Sequence, residues 1–262
     1  MIVTVQSAKR PSLVKKLLEK LDPINPVFYV PAEDLDSYHE AGAKQIVPVV
    51  GKMPMKTKQL NRALLDNVGE IVVTMDDDLN GCMIVDSNKK GKKIPFVDLI
   101  EQTVEKFKNV DAELAGFSTT TNPFYLRTTE DENWGMLKGG IFVHKASVNM
   151  LFDENMNELE DLDFIIRHHL HKKVLKVNNF VIDFHYFGQS EKLDKKYFGG
   201  YAGFRTKESE QETYMYLRKK YPEAFKSDLS YSKTADIYKK VDWKRLANLS
   251  NSNNIESFFD KV

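Results

Sequence analysis

The sequence IVVTMDDDLNG, residues 71 to 81, places three consecutive carboxylates directly after a short apolar run. Val, Ile and Thr favour a strand that is covered on both faces, so residues 71 to 75 predict a buried central strand. Asn80 and Gly81 predict a turn just beyond it. In open α/β sheets, ligands bind beyond the carboxyl ends of the strands, and this is where residues 76 to 78 would lie.

Three adjacent carboxylates repel one another, and a divalent cation relieves that repulsion. The cluster offers oxygen ligands and contains no Cys or His, a donor set that favours Mg²⁺ or Mn²⁺ over Zn²⁺. A solvated acidic turn is the alternative interpretation of the same residues. The apolar strand that precedes the carboxylates favours the metal interpretation.

The composition is that of an ordinary globular chain. The 262 residues, 42% of them hydrophobic, are enough for one large domain. Lys plus Arg equals Asp plus Glu at 38 each, so net charge gives no argument for binding nucleic acid or a membrane. Cys82 is the single cysteine, which excludes an internal disulfide. With no signal-peptide pattern and no apolar run of about 20 residues, we expect a cytoplasmic protein with no membrane partner.

Strand and helix patterns alternate through the first half of the chain, which predicts an α/β fold with a Rossmann-like, mainly parallel sheet flanked by helices. A GxGxxG fingerprint is absent after the first strand, which disfavours NAD or FAD. Residues 174–177 and 180–184 predict two strands, either antiparallel edge strands or a hairpin. A polar helix at residues 208–220 and a polar stretch beyond Pro222 predict a helical extension with a loosely packed tail. We therefore expect a main domain over residues 1–205 and an extension over 206–262.

The order of these pieces over residues 1–185 resembles the GT-A fold of nucleotide-sugar glycosyltransferases. In that family the central strand ends in an Asp-x-Asp signature, which Asp76 and Asp78 match. The resemblance implies that these two residues hold Mn²⁺ or Mg²⁺ against the two phosphates of the donor. It also implies a last metal ligand at His185, which follows an apolar strand, and a small antiparallel subsheet on the acceptor side.

The resemblance further implies which residues bind the donor, expected to be a UDP-sugar or another nucleoside-diphosphate sugar. They lie in the loop after the first strand, in the helix before the central strand, at the strand end itself, at two glycines that open a later strand, and in a loop rich in glycine and aromatic residues. The matching residues are Gln6, Ser7, Lys9, Arg10, Lys58, Asn61, Arg62, Asp76, Asp77, Gly139, Gly140, Lys195 and Lys196.

The sequence Glu158-Leu159-Glu160-Asp161 resembles the Glu-Asp motif that the family carries at a helix start. The resemblance implies that Asp161, with Glu160 beside it, is the catalytic carboxylate. Such a group would take the proton from an acceptor hydroxyl as it attacks the anomeric carbon. An acidic first turn that complements the helix dipole is the alternative interpretation.

The Asp-Asp-Asp form and the short loop after the first strand are similar to the phage TET/JBP-associated glycosyltransferases. That similarity implies transfer of glucose or arabinose to 5-hydroxymethylcytosine or a related base in DNA. Two basic segments, residues 167–176 and 192–205, would follow a phosphate backbone, although a solvated basic face is the default interpretation of His168, His169 and their neighbours. The alternatives are a glycosyltransferase acting on lipopolysaccharide or another glycan, a nucleotidyltransferase, and a non-catalytic nucleotide- or nucleic-acid-binding module.

Overall fold

The computed structural model describes residues 1–156, 158–171, 173–184, 206–226, 237 and 240–249. His185, Lys195, Lys196 and the whole basic segment at residues 192–205 were named above and lie outside this range. The strands are β1 (Ile2–Gln6), β2 (Val27–Pro31), β3 (Gln45–Val49), β4 (Ile71–Asp76), β5 (Leu79–Val85), β6 (Gly91–Ile94), β7 (Leu114–Phe117), β8 (Asp131–Glu132), β9 (Ile141–Lys145), β10 (Val174–Val177) and β11 (Phe180–Phe184). The helices are α1 (Val14–Leu21), α2 (Leu35–Glu40), α3 (Lys56–Leu65), α4 (Phe96–Lys108), α5 (Glu160–Leu170), α6 (Lys207–Lys220) and α7 (Trp243–Leu249).

The main sheet has eight strands in the order β3-β2-β1-β4-β9-β7-β10-β8. Strand β1 pairs in parallel with β2 and β4, β2 with β3, and β7 with β10, whereas β9 runs antiparallel to β4 and β7. A second sheet has three antiparallel strands in the order β11-β5-β6. The predicted class, α/β with a mainly parallel sheet flanked by helices and a small antiparallel sheet, is confirmed.

Strand β4 is buried on both faces, because its successive side chains point to opposite faces of the sheet and each face packs against helices. Val73 packs in the core cluster that contains α1 and α4, and Val72 packs in the cluster that contains α3 and α5. In the register between β1 and β4, Gln6 pairs with Asp76, so both strands end at the same level. The loop after β1 therefore lies beside the carboxylates.

Two local predictions were wrong, both because strand partners are chosen by the whole fold. Asn80 and Gly81 form no turn, since they lie within β5, and the turn is formed by residues 77 and 78. Strands β10 and β11 form no hairpin. Strand β10 pairs with β7 in the main sheet and β11 with β5 in the small one, so each apolar run finds a buried partner elsewhere.

The loosely packed tail predicted beyond Pro222 is also wrong for the residues that are described. Five apolar side chains there are buried against helices α5 and α6, namely Ala224, Phe225, Ile237, Val241 and Leu246. This cluster joins the extension to the rest of the chain. The domain boundary at residue 206 stays a prediction.

His168 and His169 do not lie on a solvated face, as the sequence had suggested. They are 2% and 3% exposed, and each ring has a nitrogen 2.8 Å from a backbone carbonyl oxygen. Burial lowers the pKa of His169 to about 4 and lowers that of His168 well below its ordinary value. With these lowered pKa values, both rings are neutral at pH 7. The rings are buried because helix α5 is packed on nearly all sides.

The cations beside these histidines are paired. Arg167 Nε lies 2.9 Å from Asp163 Oδ2, and Lys173 Nζ lies 2.6 Å from Asp111 Oδ2. At Arg167 and Lys173 the positive charge of the predicted basic face is therefore offset by a neighbouring carboxylate. No helix in the described part of the chain is long and apolar enough to cross a bilayer.

Asp163 is a fully buried carboxylate that holds α5 and α6 together. It accepts from Arg167, from Lys220 Nζ at 2.9 Å and from the Tyr221 hydroxyl at 2.8 Å. Lys220 also lies 2.7 Å from Asp153. Two cations and a hydroxyl thus depend on one buried anion.

We expect Asp163→Ala to lower the free energy of unfolding by about 3–5 kcal/mol. The variant removes the carboxylate paired with Arg167 and one of the two carboxylates paired with Lys220. Urea denaturation monitored by circular dichroism measures this. Asp111→Ala is the matched control: it removes the partner of Lys173 at an exposed position and should leave stability nearly unchanged. Similar small losses in both variants would show that Asp163 does not hold the helices together.

Candidate active site

The three carboxylates lie where strand β4 ends. Asp76 is the last residue of β4, and Asp77 and Asp78 form the turn into β5. Asp77 is 7% exposed, whereas the side chains of Asp76 and Asp78 are 28% and 18% exposed. The outer two are therefore open to a ligand and the middle one points into the protein.

Asp77 is held by the loop after β1. Its Oδ1 accepts a hydrogen bond from Arg10 Nη1 at 2.9 Å, and its Oδ2 accepts a short one from the Ser7 hydroxyl. Burial raises the pKa of Asp77, with the Arg10 charge acting against it. Burial lowers the pKa of Arg10, but the charge and hydrogen bond of Asp77, with the charges of Asp78 and Asp76, together outweigh that effect and the pKa is raised. In this structure Ser7, Arg10 and Asp77, all predicted to bind the donor, brace the loop against the carboxylate turn.

Asp78 has bonding capacity left over. Its buried Oδ1 has no hydrogen-bond partner among the described residues, and Arg10 Nη1 lies 4.0 Å from its Oδ2. Burial raises the pKa of Asp78 to about 7, and the charges of Asp76 and Asp77 act in the same direction. A cation would offset the cost of a buried, unpaired carboxylate.

These residues fit a hard divalent cation held by few protein ligands. The described part of the chain contains no group of three or more His, Cys, Asp or Glu arranged to hold a metal. Asp76 and Asp78 would therefore supply two oxygen ligands and leave the remaining positions to water and phosphate. Mg²⁺ is commonly bound in this way.

Lys56, the first residue of α3, links the carboxylates to the start of α5. Its Nζ lies 3.2 Å from both carboxylate oxygens of Asp76 and 3.1 Å from Glu160 Oε1. The side chain of Lys56 is 17% exposed. Sequence reasoning missed this residue, although a cation at the amino end of the helix before the central strand is a usable signal.

The three residues predicted on α3 have other surroundings. The Asn61 amide makes hydrogen bonds of 2.7 and 2.9 Å to the backbone of Phe152, and exposed Arg62 pairs with Asp66 at 2.7 Å. Lys58 does not line the cleft at the carboxylates. In the loop after β1, Lys9 is exposed, and its backbone N–H donates to Asp34 at 2.7 Å.

A cleft opens beside Asp76. Its polar side chains come from four separate parts of the sequence and include Gln6, Lys56, Asp76, Glu160 and Asp161. Gly140, from a fifth part, also lines it. The buried Oε1 of Gln6 has no hydrogen-bond partner among the described residues. The structure thus brings five of the predicted residues to one cleft and adds Lys56 to them.

Gly139 and Gly140 let the chain entering β9 pass close to two carboxylates. A Cβ on Gly139 would overlap Asp161 Oδ2. A Cβ on Gly140, where φ is +86°, would lie 2.7 Å from the Phe184 ring and 3.1 Å from Asp76 Oδ2. The glycines therefore leave the space that Asp161 and Asp76 need.

The catalytic candidates begin α5 directly after a strained residue. Leu159 has a φ of +57°, a left-handed conformation that is uncommon for a residue with a bulky side chain, and it is 4% exposed. Such a conformation costs on the order of 1–3 kcal/mol and is kept where surrounding packing enforces it. The turn directs Glu160 to Lys56 and Asp161 to Gly139.

Strand β11 ends at the same cleft. The Phe184 ring packs over Gly140, and Lys138 Nζ lies 5.1 Å from the centre of that ring. Lys138 also donates a short hydrogen bond to the Ile182 carbonyl oxygen. His185, the predicted last metal ligand, follows Phe184 in sequence.

No family model matches the chain, and no curated protein matches it. Among solved structures, the chain is similar to residues 1–349 of S. aureus TarS, a GT-A-like glycosyltransferase. The sequences are 11% identical, the match covers 97% of this chain and 74% of that chain, and the TM-score is 0.46. A likeness at this TM-score gives no argument for function, so the function has to be argued from the residues of the cleft.

We expect Gly139→Ala to lower turnover by about 10²-fold with little loss of stability, because the new methyl group would displace the Asp161 carboxylate while the backbone tolerates alanine. Steady-state kinetics and thermal melting measure the two effects. Gly81→Ala is the matched control, since its Cβ would have nothing within 4 Å. Full activity in Gly139→Ala would mean that the position of Asp161 is unimportant.

Proposed function

We propose that the protein is a glycosyltransferase that uses a nucleoside-diphosphate sugar and a divalent cation. The observation that supports this most strongly is the cleft at the ends of β1 and β4. Asp76 on one wall, together with Asp78 in the adjoining turn, is available for a cation and a diphosphate, and Asp161 on another wall is available for proton transfer. Two acidic groups with separate tasks are what sugar transfer to a hydroxyl requires.

On the donor side, Asp76 and Asp78 would hold Mn²⁺ or Mg²⁺. When bound, the cation would neutralise charge on the diphosphate as it leaves. Gln6 lies level with Asp76 on the neighbouring strand, and its buried Oε1 is suited to accept a hydrogen bond from a nucleotide. The braced pair of Arg10 and Asp77 would hold the loop in the shape that the nucleotide meets.

On the acceptor side, Asp161 would take the proton from the acceptor hydroxyl. The hydroxyl oxygen forms a bond to the anomeric carbon as the bond from that carbon to the diphosphate oxygen breaks. Glu160 is less suited to this task, because its carboxylate is 3.1 Å from the Lys56 ammonium and neutralises it. Glu160 and Lys56 would instead position the start of α5 against β4.

The cation site is tested with Asp78→Asn. We expect Mn²⁺ to strengthen UDP binding to the wild type at least about tenfold and to have little effect on the variant, because Asn is a poorer ligand for a hard cation. Isothermal titration calorimetry with and without Mn²⁺ measures this. Asp86→Asn, at an exposed turn, is the control and should behave as the wild type.

Folding of the Asp78 variant can be checked by its melting temperature. Because the pKa of Asp78 is raised from 3.8 to about 7 in the folded state, the unfolded state ionises first, so stability falls as the pH rises between these two values and the loss is complete at pH 8. Asp78→Asn should therefore melt no lower than the wild type at pH 8. Mn²⁺-dependent UDP binding that survives in Asp78→Asn would contradict the assignment.

We propose 5-hydroxymethylcytosine in DNA as the acceptor, with glucose or arabinose as the sugar. The support is the resemblance of the Asp-Asp-Asp strand end and of the loop after β1. The segment at residues 167–176 gives little support, because His168 and His169 are buried and Arg167 and Lys173 are paired with carboxylates. A glycan acceptor would fit the same cleft and is the alternative.

Transfer is tested by incubating the protein with Mn²⁺, a panel of nucleotide sugars and DNA that contains cytosine or 5-hydroxymethylcytosine. Mass spectrometry of the digested DNA should show a hexose or pentose on the modified base only. Asp161→Asn should lower this transfer by about 10² or more and leave UDP binding intact. Donor hydrolysis with no sugar on the DNA would contradict the DNA acceptor, and normal transfer by Asp161→Asn would contradict its role.

A further inference from the structure

The hairpin that joins β5 to β6 is strongly basic. Residues 86–93 read Asp-Ser-Asn-Lys-Lys-Gly-Lys-Lys, and all of them are exposed. The Asp86 carboxylate is occupied within the turn, where it accepts the N–H groups of Asn88 and Lys90 at 2.8 and 2.9 Å. Lys90, Lys92 and Lys93 form no ion pair with the rest of the described chain.

A second segment fixes two exposed rings beside this hairpin. Phe124 and Tyr125 are 70% and 71% exposed, and their rings meet edge to face with centroids 5.3 Å apart. The preceding Pro123 lies 3.9 Å from where a Cβ on Gly91 would be, and Lys89 donates a short hydrogen bond to the carbonyl oxygen of Leu126. The rings are therefore attached to the hairpin through contacts on both sides.

Lys93 and the rings share one side of the small sheet. Side chains alternate along a strand, so Lys93 projects to the same face of β6 as the side of Gly91 that meets Pro123, and Lys92 projects to the other face. Because β6 is an edge strand, a nucleic-acid strand that runs along this edge can reach both lysines. The hairpin begins after Val85, at the far end of β5 from Asp78. At about 3.3 Å per residue, that end of β5 lies roughly 20 Å from the carboxylate turn.

We infer that this lysine-aromatic surface, formed by Lys90, Lys92, Lys93, Phe124 and Tyr125, binds single-stranded DNA. Uncompensated lysines attract phosphates, and exposed aromatic rings stack on unpaired bases. Before Pro123 and the rings stand Thr119, Thr120, Thr121 and Asn122, which carry no large aliphatic side chain for a membrane surface to take up.

The distance between this surface and the cleft bears on which kind of acceptor could contact both. A contact roughly 20 Å from the cation site is out of reach of a free sugar or a single nucleotide, but not of a polymer that carries the acceptor base. The inference rests on the proposed function only for its choice of DNA as the polymer. Binding itself is measured without a donor, so the two proposals are tested separately.

The test is fluorescence anisotropy with a labelled single-stranded oligonucleotide over a series of salt concentrations. The lysine variant is Lys90→Gln, Lys92→Gln and Lys93→Gln together. It should bind at least tenfold more weakly at low salt, and its slope of log K against log salt should be smaller by about 2, since three phosphates contribute about 0.7 each. The variant Phe124→Ala with Tyr125→Ala should lose about tenfold in affinity and keep the wild-type slope.

The matched control is Lys15→Gln, Lys44→Gln and Lys219→Gln together, which makes the same charge change at exposed lysines elsewhere. It should bind DNA as the wild type does. Equal losses in the two lysine triples would mean general charge attraction and would overturn the inference. Two other results would overturn it. One is a ring variant that binds DNA as tightly as the wild type does. The other is a lysine variant that loses binding to anionic lipid vesicles and keeps its binding to DNA.

Binding of UDP with Mn²⁺ is measured on the same proteins and should be unchanged in all of them, because none of the substituted residues lines the cleft. Failure of the wild type to bind UDP would count against the glycosyltransferase proposal and leave the DNA result standing. Failure to bind DNA, with UDP binding intact, would remove the lysine-aromatic surface and leave the donor site.

Discussion

The buried ion pair between Arg10 and Asp77 is the interaction on which the site depends. A carboxylate that is 7% exposed needs a cation and hydrogen-bond donors, and Arg10 and Ser7 supply them from the loop after β1. With Asp77 held inward, Asp76 and Asp78 on either side of it stay more exposed, at 28% and 18% of their side-chain surface. The buried charge pair thus fixes the turn from which both candidate metal ligands project.

Near that pair lie charged groups whose hydrogen bonds and charges are incompletely satisfied in the absence of a ligand. Asp78 has an unfilled buried oxygen, and Lys56 is shared between Asp76 and Glu160. Leu159 holds a strained backbone conformation at the start of α5. Local features of this kind reduce stability and are concentrated at binding sites, where a bound cation and diphosphate would satisfy the charges.

Local patterns in the sequence were sufficient for the central part of the fold. The residue types at 71–75 predicted a strand covered on both faces. Ligands bind at the strand ends of an open α/β sheet, so the position of the carboxylates could be predicted from the sequence alone. The histidines of α5 could not, because a polar residue on a helix that is packed on nearly all sides looks the same in sequence as one on a wet face. The partners of β10 and β11 also depended on distant strands. Lys56 escaped notice because its two acidic partners lie 20 and 104 residues away.

The central claim is that Asp76 and Asp78 hold a divalent cation against the diphosphate of a nucleotide. Crystals grown with Mn²⁺ and UDP, with X-ray data collected at the manganese absorption edge, test it directly. The account predicts one anomalous peak within about 2.0–2.4 Å of an oxygen from each of the two carboxylates, with phosphate oxygens completing the coordination. Diphosphate bound elsewhere, or bound in the cleft with Lys56 still bridging Asp76 and Glu160 and no manganese at the carboxylates, would contradict it.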